Sequence, residues 1–185
     1  MSNEFVPFTK IARLTREITV TEKIDGTNAS IHITEDGQFL VGSRTRWITP
    51  EDDNYGFAKW AYTNRNELMQ LGVGAHFGEW WGQGVQRNYA QTRKRFSLFN
   101  THRWTDDTIR PACCDVVPIL YTGILDEFEV MKGVKSALKT LREQGSLASP
   151  GFMQPEGIII YHHAAGIYFK KTLDKDDEWK GKAGR

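Results

Sequence analysis

The chain is short of several things, and each shortage narrows what it can be. Its 185 residues hold two cysteines, and these are neighbours, Cys113 and Cys114. Adjacent cysteines rarely bridge, because the spacing strains the bond, and no metal-ligand spacing accompanies them. A disulfide framework is excluded, and a reduced, intracellular, cytoplasmic setting is the simplest expectation. Excess charge of one sign is scarce too: 24 Lys and Arg against 23 Asp and Glu leave a formal net charge of +1. There is no global basic field, so nucleic acid, if bound, must be held by a local patch. No apolar run reaches the ~18 residues that would span a bilayer, so no membrane partner is expected. The N-terminus lacks the apolar stretch of a signal peptide. Repeats, low-complexity segments and Pro/Gly/Ser linkers are missing as well. What remains is ordinary globular material, 39% hydrophobic and 12% aromatic, enough for a real core. One domain over residues 1–185 is expected, with a charged tail from about Asp174 to Arg185.

The apolar pattern reads as α+β. Ile18 to Ile33 alternates loosely as strand, Asp36-Gly37 reads as a hairpin turn, and Phe39 to Ser43 as the returning strand. Asp52, Asp53 or Asn54 can cap a helix whose apolar face is Phe57, Trp60, Ala61 and Leu68. Ala75 to Trp81 and Arg95 to Asn100 read as further strands. Leu125, Phe128, Met131, Val134, Leu138 and Leu141 recur at helical spacing, with Gly145 as the stop. Gly157 to Tyr161 and Ile167 to Leu173 predict a closing pair of strands, with His162-His163-Ala-Ala-Gly as their turn. Strands and helices do not alternate regularly, which predicts mostly antiparallel sheets with flanking helices.

Chemistry concentrates in a few segments. Lys23-Ile24-Asp25-Gly26-Thr27-Asn28 sets an amine beside a carboxylate, a glycine and an amide at a strand end. An ordinary lysine amine, with a pKa near 10.4, is almost wholly protonated at neutral pH; burial and nearby cations favour the neutral nucleophile. Arg44 or Arg46, and Lys170 and Lys171, are candidate cations, and the same groups could hold a polyphosphate. Gly26 would let the backbone approach a ligand closely. Phe77-Gly78-Glu79-Trp80-Trp81-Gly82 places a carboxylate between glycines and aromatics. In Phe96 to Asn100, Phe96 and Leu98 share one strand face, and Ser97 and Phe99 the other. Glu156 sits at the entry of a very apolar strand, where a carboxylate is costly unless exposed or paired with a metal or a lysine. Arg87, Arg93, Lys94 and Arg95, with Tyr89 between, form the candidate nucleic-acid patch, with a solvated loop as the alternative.

Taken together, these segments resemble the covalent nucleotidyltransferase superfamily of ATP-dependent ligases and capping enzymes. The similarity is greatest to the RNA ligase family, in particular the type 2 branch and phage RNA ligase-domain proteins, and runs from about Thr21 to Leu173. Lys23 to Asn28 resembles the nucleophile motif and Ser43-Arg44 the arginine motif. Phe77-Gly78-Glu79 resembles the ribose motif. Phe96 to Asn100 resembles the adenine motif, with Phe99 as the stacking ring. Pro155-Glu156-Gly157-Ile158 resembles the metal-glutamate motif, and Phe169-Lys170-Lys171 the lysine motif. The resemblance implies an ATP-grasp-like ligase adenylation fold and three steps: AMP is carried on Lys23, passed to a 5′-phosphate end, and released as a 3′-hydroxyl attacks. It also implies Mg²⁺ or Mn²⁺ at Glu156 and Asp25, with Asp25 orienting either the lysine or the metal's water. Asn28 is implied at the strand end or the phosphate. Two departures stand out. The family's lysines are usually separated by one residue, whereas Lys170 and Lys171 are adjacent and so point to opposite faces; Lys170 is taken as the phosphate contact. Asn100 stands where aspartate is common. No OB domain is expected after the lysine motif, so a partner protein is a candidate source of nucleic-acid grip. Within the superfamily a DNA ligase or a capping guanylyltransferase remains an alternative, and outside it an inactive nucleotide- or RNA-binding relative.

Overall fold

In the computed structural model the described residues are 5, 7–125 and 131–174. Among them nine strands form two sheets. The first has strands β1 (Glu17–Lys23), β7 (Ile119–Ile124), β8 (Gly157–His162) and β9 (Ile167–Thr172), ordered β7-β1-β8-β9, all antiparallel. The second has β2 (Thr27–Ile33), β3 (Phe39–Ser43), β4 (Gly74–Gly82), β5 (Lys94–Leu98) and β6 (Asp115–Val116), ordered β3-β2-β4-β5-β6. Only the β5–β6 pair is parallel among the described strands. Four helices accompany them: α1 (Phe57–Thr63), α2 (Arg65–Leu68), α3 (Thr101–Trp104) and α4 (Lys132–Gln144). The α+β expectation therefore holds. No helix among the described residues is long and apolar enough to cross a membrane.

Each sheet packs one face against helices. On the second sheet Ile31, Val41, Trp80, Phe96 and Leu98 pack with Phe57, Ala61, Leu68 and Trp104 from the helical side. On the first, Ile18, Val20 and Ile158 pack against Val134, Ala137, Leu138 and Leu141 of α4. A third cluster, Ile24, Trp81, Tyr89 and Val117, with Phe99, Ala148 and Phe152 against it, joins the two sheets. The cleft faces of both sheets meet beside this joint.

Several expectations need correction. The continuous strand over Ile18 to Ile33 is two strands in different sheets, with residues 24–26 crossing between them. Alternation survives a crossover that keeps side chains in register, so periodicity did not reveal it. The helix after Asn54 breaks at Asn64 into α1 and α2. Asp53 serves its start: its carboxylate accepts the amides of Asn54, Ala58 and Lys59. The long helix starts only at Lys132; Met131 is left-handed at φ 81°, Leu125 precedes it, and Phe128 lies outside the described residues. Strands β6 and β7 were not foreseen; β7 is an edge strand without a fully buried residue, so its hydrophobic signal is weak. His162 ends β8, buried, with Nε2 2.8 Å from the Leu14 carbonyl oxygen, and only His163 lies in the turn. Beyond Asp174 the expected tail lies outside the described residues.

Candidate active site

Strand register builds the site. Lys23, the last residue of β1, pairs with Gly157, the first of β8, so the residue before it, Glu156, comes alongside. Lys23 Nζ donates to Glu156 Oε2 at 2.5 Å, with both side chains largely covered. The crossover that follows is pinned at every residue. Ile24 enters the inter-sheet cluster. The Asp25 amide donates to the Tyr89 hydroxyl at 3.0 Å, and the Asp25 carboxylate accepts from Arg87 Nε at 2.9 Å. The Gly26 amide donates to Glu79 Oε1 and the Asn28 side-chain amide to Glu79 Oε2, each at 3.0 Å. Asn28, Glu79 and Ser97 form one cross-strand row on the cleft face.

Glu79 is 7% exposed. Burial pushes its pKa up to about 7, although nearby Lys23 and the two amide hydrogen bonds pull the other way, and neighbouring Glu156 adds to the rise. A carboxyl titrating near neutrality can accept or donate a hydrogen bond there. Lys23 thus has carboxylates for neighbours, Glu156 in contact and Glu79 within electrostatic range. Two of the cations expected beside it come from the segment after β3. Arg44 is exposed in the loop after β3, and Arg46 pairs with Asp52.

The register of the first sheet separates the two late lysines. Lys170 lies in the row Thr21–Ile159–Lys170, two residues along the strands from Lys23–Gly157–Thr172 and so on the same face. Lys171 lies in the row Glu22–Ile158–Lys171, the face that packs α4. This agrees with the adjacency argument. Phe99 follows β5 and is half-buried against Ile24, Trp81 and Tyr89, on the cleft side, while Phe96 is in the core. Asn100 caps α3, its side-chain oxygen accepting the Arg103 amide.

Gly26 is required by packing within the protein. A Cβ there would sit 2.4 Å from the Trp80 carbonyl oxygen and 2.8 Å from Trp81 Cβ. That close approach is to β4. The basic patch is also dispersed. Arg87 holds Asp25 and the Gln154 carbonyl, Lys94 donates to the Tyr55 carbonyl, and Arg95 makes a paired contact with Asp115 over the Trp81 ring; Arg93 is exposed. Among the described residues there is no group of three or more His, Cys, Asp or Glu that could hold a metal. Glu156 and Asp25 could supply at most a partial oxygen set, which fits a Mg²⁺-type ion completed by phosphate and water.

Sequence reasoning missed a second tier. Glu22, 1% exposed, accepts from the Ser146 hydroxyl at 2.6 Å and from the Leu147 and Ala148 amides at 2.8 and 3.0 Å. Burial raises its pKa, and these three donors oppose the rise. Ser149 donates its hydroxyl to the Tyr89 carbonyl oxygen and receives Gln91 Nε2. The segment bearing Tyr89 holds Gln86, Asn88, Tyr89 and Ala90 at φ 44°, 62°, 51° and 52°. Such left-handed conformations cost energy and persist only where surroundings enforce them. Together these contacts fix the loop that leads to Glu156 and the turn that follows Lys23. The signal available was a carboxylate on the apolar face of an alternating strand, Ile18-Thr19-Val20-Thr21-Glu22.

The RNA ligase family profile matches residues 16–174. No curated protein matches the chain. Among solved structures it resembles variants of Naegleria gruberi RNA ligase. One without ligand has a TM-score of 0.61 at 20% identity, covering 85% of this chain and 50% of that one. One with AMP and Mn has a TM-score of 0.60 at 20% identity, covering 86% and 50%. One with ATP and Mn has a TM-score of 0.60 at 18% identity, covering 85% and 49%. At these identities the likeness is one of fold, and the chain spans about half the length of the ligases it matches.

Proposed function

This chain belongs to the RNA ligase family, and on that premise we propose that it is the catalytic core of an ATP-dependent polynucleotide ligase acting on RNA ends or nicks. The observation that carries the reading is Lys23 Nζ held 2.5 Å from Glu156 in a cleft that also contains buried Glu79 and, on the same sheet face, Lys170. The ligand chemistry is supported by the related ligase structures that contain ATP or AMP with Mn.

Lys23 Nζ attacks the α-phosphorus of ATP; the bond to pyrophosphate breaks and AMP remains on the nitrogen. For that, the amine must leave Glu156 and lose a proton. AMP then passes to a 5′-phosphate, and a 3′-hydroxyl attacks the activated end, releasing AMP. A divalent cation, Mg²⁺ or Mn²⁺, held by Glu156 and phosphate oxygens, would neutralise charge on the phosphates. Lys170, approaching from the Lys23 face, stabilises charge on the attacked phosphate. Arg44 reaches the phosphates from the β3 loop. Glu79 receives the ribose hydroxyls while its hold on Gly26 and Asn28 fixes the turn. Phe99 offers a ring to the purine. Asp25, tied to Arg87, orients the turn that carries Lys23. The two free cysteines fit a reducing, cytoplasmic setting.

Intact-mass measurement after incubation with ATP and Mg²⁺ or Mn²⁺ tests this. The expected result is a gain of one AMP that disappears in Lys23→Ala; an adduct at undiminished level in that variant refutes the assignment. Nicked RNA, nicked DNA and single strands offered in parallel then sort the substrate.

A further inference from the structure

The Lys23 face of the first sheet continues past the site, and what it carries there has no part in the chemistry above. Four residues along the strands from Lys23–Gly157–Thr172, on the same face, comes Thr19–Tyr161–Tyr168. At about 3.3 Å per strand residue, the tyrosines lie roughly 13 Å along β8 from the Lys23 row. That is about four nucleotides of stacked strand, at about 3.4 Å each. The rings of Tyr161 and Tyr168 lie 4.6 Å apart, 34° from parallel. The His163 ring meets Tyr161 in a T-shaped contact at 4.9 Å, and His163 Nε2 lies 2.9 Å from the Thr19 hydroxyl. Tyr168 is 62% exposed on the edge strand β9. Between the tyrosines and Lys23 lies Lys170. The charged residues of these rows are Lys23, Lys170 and, at the far end of β1, Glu17.

We propose that Tyr168, backed by Tyr161 and His163, is a stacking platform for a base of the single-stranded polynucleotide end as it approaches Lys23. The inference rests on the ligase reading above. A preorganised ring that is open on one side, on the face of the nucleophile, with a cation toward the reactive end, has the two elements of single-strand binding: a π-surface and a backbone charge contact. Stacking tolerates any base, which suits an enzyme that joins ends. A cross-strand ring pair also steadies a hairpin, but that role alone would leave nucleic-acid affinity untouched.

The experiment measures binding of a 5′-phosphorylated, fluorescent single-stranded RNA by anisotropy at low salt. It compares wild type, Tyr168→Leu and Tyr168→Phe, with formation of the AMP adduct in the absence of RNA measured beside it. The exposure of Tyr168 makes both variants compatible with folding, which a thermal melt checks. The expected result is a loss of about tenfold in affinity for Tyr168→Leu, near-normal affinity for Tyr168→Phe, and equal adduct formation in all three. Retained affinity in Tyr168→Leu overturns the proposal. Equal losses in both variants overturn it because the hydroxyl, not the ring, would then matter. A lost adduct in Tyr168→Leu overturns it by assigning the face to ATP, and absence of RNA binding by the wild type overturns it outright. Should the wild type form no adduct, the ligase reading fails while the affinity comparison still judges the platform.

Discussion

The two sheets are built to different standards, and the contrast follows what each contributes. The second sheet buries Trp80, Phe96, Leu98, Ile31 and Val41 against α1, α2 and α3, with Phe57 and Trp60 stacked at 5.7 Å and Trp60 near Trp80 at 5.0 Å. Its cleft face offers Asn28, Glu79 and Ser97, all held by hydrogen bonds. The first sheet has a smaller core, and its edge strand β9 exposes Ile167, Tyr168 and Phe169. Its cleft face carries Lys23 and Lys170. Groups that need only be held rigid sit on the heavily packed sheet. The amine that must exchange partners, and the surface open to a long ligand, sit on the lightly packed one.

If that division is right, perturbing the second sheet should cost stability and perturbing the cleft face of the first should cost rate. Trp80→Ala removes a 2% exposed ring from the aromatic core and should destabilise the fold by about 3–5 kcal/mol in denaturant unfolding. A loss below about 1 kcal/mol would break the contrast. Glu79 sharpens it. Its folded pKa of about 7 lies above the ordinary 4.5, so the native state binds the extra proton between those values. Stability from this group is complete below about pH 4.5 and declines as pH rises through 7, by about 3 kcal/mol at about 1.4 per unit. Glu79→Gln should remove that slope, read as the difference between variant and wild-type unfolding free energies at pH 5 and pH 8; an unchanged slope would place the titration elsewhere. On the first sheet, Lys170→Ala should slow adduct formation on the order of 10²-fold and leave the melting temperature nearly unchanged, whereas Lys171→Ala should slow it less. Equal losses would undo the strand-face assignment. Smallest of all, Arg46→Ala breaks an exposed pair with Asp52 and should shift stability by less than about 1 kcal/mol.

Much of the site was legible because its parts are local. Lys23 through Asn28 is a contiguous turn, Glu79 is bracketed by glycines whose purpose is close packing, and alternation alone distinguished Lys170 from Lys171 and Phe99 from Phe96. What stayed hidden has a common cause. The packing role of Gly26 was not legible because the chain does not say what lies across from it; a Cβ there would strike the Trp80 carbonyl oxygen. The basic residues between Arg87 and Arg95 looked like one patch, yet Arg87, Lys94 and Arg95 each answer a partner from a distant segment: Asp25, Tyr55 and Asp115. The role of Glu22 was invisible because its donors, Ser146, Leu147 and Ala148, are more than 120 residues away.

The amino-acid order by itself determined the α+β class, the chemical groups available and the strand face of each, because alternation and turn chemistry act within a few residues. Which groups meet was decided only by tertiary structure. The crossover at residues 24–26 and the pairing of Lys23 with Gly157 place an amine against a carboxylate 133 positions away. Contact energies of that kind depend on distances that sheet register sets and that no local pattern encodes.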